Sequence, residues 1–253
     1  MMKRILSFGF GLFLIIALLI SSVGKVVFDH GFYLDLYQRI DLAEQVNVSE
    51  SDLEDSIFMM TDYVEGKRDD LNDTVFWKGE VRPTFNEKEI QHMKDVRHLW
   101  LSARMVMIVS WILCALCLIL ILILEGLRGV RSLFSGLKEA FVCLMVVLVF
   151  FGFWCLIDFT GFWTWFHTIV FPGNMDWLLD PATDFMIVIC PEQMFSDMIA
   201  RIALTLLASL VPILLVMNFL KRNEKTLELG EEELRLMNQP SLKDLTSGRK
   251  DRS

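Results

Sequence analysis

No stretch of this sequence spells a familiar catalytic loop. It has no Gly-x-Ser-x-Gly turn to expose a serine nucleophile, no Gly-x-x-x-x-Gly-Lys-Ser/Thr loop to cradle phosphates and no His-Glu-x-x-His helix to hold zinc. Nothing therefore points to nucleotide-driven work. Cysteine is scarce: of the five, Cys114, Cys117, Cys143 and Cys155 fall inside long apolar runs and only Cys190 lies elsewhere, which excludes a disulfide framework. Cys114-Ala-Leu-Cys117 has redox-pair spacing, but deep in an apolar helix small buried residues are the plainer account. Lysine and arginine are missing altogether between 158 and 200. The net charge is −8 and sits mostly in segment 29–98, which speaks against nucleic acid as a partner. Histidine occurs only four times, at His30, His92, His98 and His167.

What is plentiful is apolar. Hydrophobic residues make up 54% of the 253, with a mean hydropathy of +0.46, and they arrive in blocks. A lipid core about 30 Å thick needs about 20 apolar residues of helix. Four runs qualify, roughly 5–28, 99–124, 140–157 and 199–220. The first follows Lys3 and Arg4 as a signal peptide would, but it is too long for a signal core. It also shows no Ala-x-Ala site near Ile20 to Lys25, so a retained anchor is expected. The fold class is an all-α integral membrane protein with four transmembrane helices and a small helical extracytoplasmic domain, 29–98, between the first and second.

Orientation follows from the basic residues, which gather on the cytoplasmic side. Lys3 and Arg4, then Arg128, Arg131 and Lys138 in the loop 125–139, then Lys221, Arg222 and Lys225 in the tail 221–253 belong inside. Segments 29–98 and 158–198 then face outward and both termini are cytoplasmic. In the outer domain, Phe32, Leu36, Ile40 and Leu42 form one helical stripe, and Val48 to Asp52 reads as a cap leading into Leu53, Ile57 and Met60. Asn72 to Pro83 is a break. Asn86 with Glu89 three residues on makes a capping box for a helix that runs past His92 into the second span. In 158–198, aromatics crowd around His167, Asp180-Pro181 marks one helix start and Cys190-Pro191 another, all lying along the interface. The tail reads as helix to Met237 and disorder from Gln239 to Ser253.

Candidate chemistry gathers at the outer face, where all four histidines fall. A lone surface histidine is commonly just solvated, but His92 has Glu89 and Asp95 three residues to either side on one helix face, able to orient its ring. Arg104, Asp158 and Arg201 sit at the outer ends of spans, where a charge either pairs around a polar site or snorkels to the headgroups.

The run Phe85-Asn-Glu-Lys-Glu-Ile-Gln-His92-Met93-Lys-Asp95-Val96, the later Phe166-His167, and Trp177 with Asp180-Pro181, Asp184 and Pro191 through Phe195 resemble the bacterial lipoprotein intramolecular transacylase family, Lit. The likeness spans Met1 to about Leu220, with Val170 standing where an aromatic is expected and the charged tail outside it. The resemblance implies a substrate lipoprotein whose N-terminal cysteine carries a diacylglyceryl thioether and a free α-amino group. The sn-2 acyl chain moves to that amine, leaving the lyso-form. It further implies that His92 and His167 are catalytic, with Trp177, Asp180 and Asp184 in support. The partners are then the diacylated lipoprotein N-terminus and membrane lipid, and no cofactor is needed.

Elementary chemistry agrees. An α-amino group with a pKa of about 7.7–8 is mostly protonated at neutral pH, and a histidine near 6.5 is a suitable acceptor for its proton. Converting an ester to an amide runs downhill, and one molecule holding both groups makes the attack unimolecular. Arg104, Arg201 or a protonated histidine would serve the oxyanion. Two other functions stay open: a receptor or assembly protein using the acidic domain, and a metal-dependent hydrolase built on Glu89, His92 and His167, for which one Glu-x-x-His is a thin ligand set. The charge pattern predicts that a reporter fused after Ser253 or near Gly129 behaves as cytoplasmic and one near Asn72 as external. A cytoplasmic signal at Asn72 would overturn the orientation.

Overall fold

With no water in the bilayer core, a spanning segment must satisfy its own backbone, and helices do this residue by residue. The computed structural model describes residues 1–237, with side chains through Asn223; the disorder expected for 239–253 lies outside the described residues. Four helices are long and apolar enough to cross a membrane: α1 (Met2–Val27), α5 (Glu87–Glu125), α6 (Gly129–Ile157) and α9 (Glu192–Met237). Their outer flanks leave Met105, Ile112, Leu116, Val146, Phe150, Leu204 and Leu215 exposed, an apolar surface that lipid covers. The chain is a multi-pass membrane protein.

Helix α1 is the centre of the bundle and packs on α5, α6 and α9. Leu14, Ile121, Leu137, Leu206 and Leu210 meet in its core. Lipid tails are as apolar as these side chains, so helix association relies on close approach. Gly11 and Gly136 supply it. A Cβ on Gly11 would sit 2.7 Å from the Leu137 Cα, and one on Gly136 would run into the Ser7 carbonyl. The loop expected over 125–139 shrinks to a single 3-10 turn, Gly126–Arg128, and α6 starts at Gly129. Leu133 and Leu137 repeat at helical spacing and bury against the bundle, so the helix extends through the charged stretch that hydropathy alone leaves out.

A second core caps one end of the bundle. It joins α2 (His30–Arg39), α3 (Leu42–Val46), α4 (Glu50–Glu65), a hairpin and α8 (Phe185–Ile189) around Phe32, Leu36, Leu53, Ile57 and Phe185. Asp29 caps α2 and Ser49 caps α4, each accepting a backbone N–H of the first turn. The cap expected at Ser49 is present, but the expected stripe is divided: Phe32 and Leu36 lie on α2, Ile40 ends it, and Leu42 opens α3 after Asp41 turns left-handed (φ 50°). The break at 72–83 holds more than a break: β1 (Thr74–Trp77) and β2 (Glu80–Pro83) pair antiparallel through the turn Lys78-Gly79. Both turn residues have positive φ, 54° and 86°, the conformation a two-residue hairpin turn requires. Among the described residues the regular structure is thus helical apart from one hairpin.

The cap is tied down at several points. Tyr33 donates to the Val27 carbonyl and Tyr37 to the Ile189 carbonyl, each at 2.6 Å. Arg39 pairs with Asp197 at 2.7 Å, joining α2 to α9. Because Gly136 meets backbone, a Gly136→Leu variant is expected to lose about 1–3 kcal/mol or more, read as a lower unfolding midpoint in detergent. Gly152→Leu, where nothing lies within 4 Å, should leave that midpoint unchanged.

Candidate active site

His92 reaches the site because α5 does not stop at the membrane. The helix is 39 residues long and starts at a capping box, with Asn86 accepting from the Glu89 N–H and Glu89 accepting from the Asn86 N–H. Its apolar run begins near 99, so at 1.5 Å per residue His92 stands about 10 Å beyond that run. His167 comes from α7 (Phe159–Val170), an amphipathic helix of 12 residues. Asp158 caps it by accepting from the Gly161 N–H at 2.8 Å. Glycine is needed there, since a Cβ would collide with the Asp158 carboxylate.

The two imidazoles face each other with ring centroids 5.9 Å apart. Both are buried, at 9% and 6% exposure. Phe171 packs on both, at 5.3 and 5.8 Å. Around His167 stand Trp163 at 4.8 Å, Trp177 at 5.0 Å and Phe166 at 5.5 Å. His167 Nδ1 lies 2.8 Å from the Trp163 carbonyl. A carbonyl only accepts, so Nδ1 carries the proton and the neutral ring keeps a lone pair on Nε2. Burial, and after it the neighbouring His167, lowers the His92 pKa to about 4, against the opposing charge of Asp176. Burial also lowers the His167 pKa, against the bond to Trp163. Both rings are therefore neutral at neutral pH. Next to the pair, a cavity of about 310 Å³ opens between α5 and the loop after α7, lined by Asp95, His98, Ser102, Phe171 and Asn174 among others. Phe171 separates it from the histidines.

Each supporting residue has a definite place. Glu89 does not orient His92 through any recorded bond. Its two oxygens accept from the backbone N–H of Asn86 and of Met186, both at 2.6 Å, so the carboxylate joins the start of α5 to α8. Burial raises its pKa in spite of those bonds. Asp95 accepts from Asn174 Nδ2 at 2.6 Å. Trp177 donates to the Asn174 carbonyl and stacks near His167. Asp184 is buried, accepting from Asn86, Thr183 and the Asp180 N–H. Asp180-Pro181 starts no helix: Asp180 closes a turn onto Ala182 and Asp184, and α8 begins only at Phe185. The Thr183 and Asp184 N–H groups both close on the Asp180 carbonyl and Asp184 is extended (φ −103°, ψ 118°), so one turn forms and stops. Cys190-Pro191 does lead into a helix, the long α9.

The grouping of Arg104, Asp158 and Arg201 into one polar site is overturned. Asp158 is exposed and occupied as a helix cap. Arg201 pairs with Asp35 at 3.2 Å and lies over the Phe32 ring, serving the cap. Arg104 is exposed on α5. His30 is also elsewhere, stacked on Phe58 at 4.0 Å. Among the described residues no three His, Cys, Asp or Glu side chains converge as metal ligands. Phe171, Asn174 and Asp176 were not singled out from the sequence. Their signal is the turn string Pro172-Gly173-Asn174, which fixes where the loop reverses.

Two measurements check this geometry. Glu89→Ala leaves two backbone N–H groups without partners and should cost about 2–5 kcal/mol, read as a lower unfolding midpoint; a large activity loss at unchanged midpoint would instead mean that Glu89 acts on His92. Ring 15N shifts should show both histidines ionising below 6.5. Since both folded pKa values are depressed, the unfolded chain binds more protons, and their contribution to stability is lost as pH falls from about 6.5 towards 4. A ring already charged at pH 7 would contradict the site.

A family model described as lipoprotein intramolecular transacylase Lit matches residues 8–195, most of the chain. No curated protein matches. Among solved structures, the membrane-integral lipoprotein intramolecular transacylase Lit from Bacillus cereus superposes with a TM-score of 0.72 at 14% identity, covering 89% of this chain and 98% of that one. A single-residue variant of the same Bacillus cereus protein gives 0.68 at 15% identity, covering 89% and 94%. Identity this low speaks for the shared fold, and the family match carries the activity: the chain, a membrane-integral acyltransferase acting on lipoproteins, belongs to the lipoprotein intramolecular transacylase Lit family.

Proposed function

We propose that this transacylase moves the sn-2 acyl chain of a diacylglyceryl-cysteine to the α-amino group of the same cysteine, with His92 and His167 as its catalytic residues. The observation that carries the assignment is the pair of buried, neutral imidazoles 5.9 Å apart, one of them with its tautomer set by the Trp163 carbonyl. His167 Nε2 takes a proton from the amine as its nitrogen attacks the ester carbonyl. The C–N bond forms, the ester C–O bond breaks and the proton passes to the glycerol oxygen, giving an amide and a free hydroxyl. His92 stands on the far side of the reacting carbon and donates a ring N–H to the oxyanion. Of the oxyanion donors expected, Arg201 is engaged with Asp35 and Arg104 is exposed, and the histidine would serve through a neutral ring N–H where a protonated ring was expected. Keeping both rings neutral keeps the base free at the pH where the amine begins to lose its proton.

The cavity beside Phe171 supports an approach by the substrate along α5, from the apolar run at Leu99 towards His92. An acyl chain rooted in the bilayer has to rise about 10 Å to meet that ring, and Leu99, Val170 and Phe171 offer it apolar cover. The basic residues near both termini and the α5–α6 turn support an outward-facing site.

Mass spectrometry of a lipoprotein's N-terminal peptide, from cells with and without each variant, tests the assignment. His167→Ala is expected to lose at least about 100-fold of lyso-form production, the scale of a general base. His92→Ala is expected to lose about 100- to 1,000-fold, the scale of an oxyanion donor. Both proteins should remain folded and inserted. Full activity in either variant would remove that histidine from the mechanism.

A further inference from the structure

Helix α7 packs chiefly on α6 and meets α5 at the histidine pair, so the two helices that carry the histidines are not held together by a broad shared face. Their separation is set by the loop that follows α7, and that loop turns on one residue. Every polar group of Asn174 is engaged. Its backbone N–H donates to the Phe171 carbonyl at 3.2 Å. Its carbonyl accepts from Trp177 Nε1 at 2.9 Å. Its side-chain oxygen accepts from the Asp176 N–H at 2.7 Å, and its side-chain nitrogen donates to Asp95 Oδ2 at 2.6 Å.

Two of the partners of Asn174 touch the histidines. Trp177 lies 5.0 Å from the His167 ring, and Phe171 packs on both rings. Asp176 is the one carboxylate whose charge acts on His92. Asp95 sits one helical turn after His92 on the same face of α5. The next polar tie between loop and α5, Lys88 on the Leu178 carbonyl, comes after Trp177 and cannot hold Asn174 in place.

We propose that Asn174 is a positioning residue for acyl transfer: its bond to Asp95 clamps the loop after α7 onto α5 and thereby sets the spacing of His167 and His92. The clamp is charge-assisted, a carboxylate taking an amide N–H, which makes it stronger than a bond between two neutral groups. A misplacement of about 1 Å at a reacting centre costs about 100-fold in rate, so loss of the clamp should appear in kcat. Asn174 and Asp95 also line the cavity beside Phe171, so a loss confined to KM would assign them to substrate capture and overturn the clamp.

This proposal rests on the catalytic assignment of His92 and His167, and a reciprocal exchange tests it separately. Asn174→Asp sets two carboxylates where one bond was and is expected to lower kcat about 10- to 100-fold at nearly constant KM. Asp95→Asn keeps an acceptor for Asn174 and should lose less kcat than Asn174→Asp. The double variant, Asp95→Asn with Asn174→Asp, restores the bond with donor and acceptor exchanged, and its kcat should rise about 10-fold above Asn174→Asp alone, a coupling of about 1.4 kcal/mol. Asn174→Ala removes the clamp without adding charge and should lower kcat even if Asn174→Asp fails to fold. Wild-type kcat in Asn174→Ala, or a double variant no better than Asn174→Asp, would overturn the clamp. An Asp95→Asn loss as deep as that of Asn174→Asp would also overturn it, by assigning the role to the Asp95 charge. If rescue occurs while His167→Ala stays active, the clamp stands and the catalytic assignment fails.

Discussion

The buried carboxylate of Glu89 is the joint on which the site depends. It receives two backbone N–H groups, one from the residue that caps α5 and one from the first turn of α8. Removing a carboxylate from water is costly unless its oxygens are paired, and the raised pKa of Glu89 shows how strongly burial acts on it. Helix N-termini present unpaired N–H groups and a positive dipole end, which is what such a carboxylate requires. One side chain thereby fixes where α5 begins and how α8 lies against it, and His92 follows one turn later on the same helix face. Asn86 extends the joint by donating to Asp184, just ahead of α8.

From that joint the site is built by two different kinds of constraint. His92 inherits its height from a continuous helix, whose backbone bonds make its distance from the apolar run almost invariant. His167 sits on a short helix that packs elsewhere, in a shell of Trp163, Phe166, Phe171 and Trp177. The rings exclude water, which depresses both imidazole pKa values and strengthens any charge that develops between them. The same apolar shell suits a lipid ester. An arrangement that keeps its bases neutral by burial needs no carboxylate bonded to each histidine, and none is bonded here. The backbone carbonyl of Trp163 takes over the orienting role for His167.

Charges near the membrane edge serve a separate purpose. Arg39 and Arg201 pair with Asp197 and Asp35, across the junction of α2 and α9. Both pairs are partly exposed, so each adds little stability on its own. Their value is in register: together with the Tyr33 and Tyr37 hydroxyls they hold the cap at one angle on the bundle. Asp158 is absorbed by a helix cap before it can meet either arginine.

Hydropathy by itself determined the four spans, because the need of a lipid-buried backbone for internal bonding leaves helices as the only outcome for runs of that length. Local chemistry likewise determined the Asn86–Glu89 capping box and the Ser49 cap, since both bonds form within one turn of chain. The family likeness supplied the pairing of His92 with His167. What no local pattern contains is the partner of a group 79 to 166 residues away. Glu89 and Asp95 stand at equal spacing from His92 and read as equivalent, yet one binds the Met186 N–H and the other Asn174. Arg201 reads as an interface charge until α2 brings Asp35 beside it. The hairpin at 74–83 turns locally at Lys78-Gly79, but its Trp77 packs on Phe185 of the distant α8. Each of these depends on how separate helices meet, and that is decided by the packing of side chains from distant parts of the chain, which only the folded tertiary structure brings together.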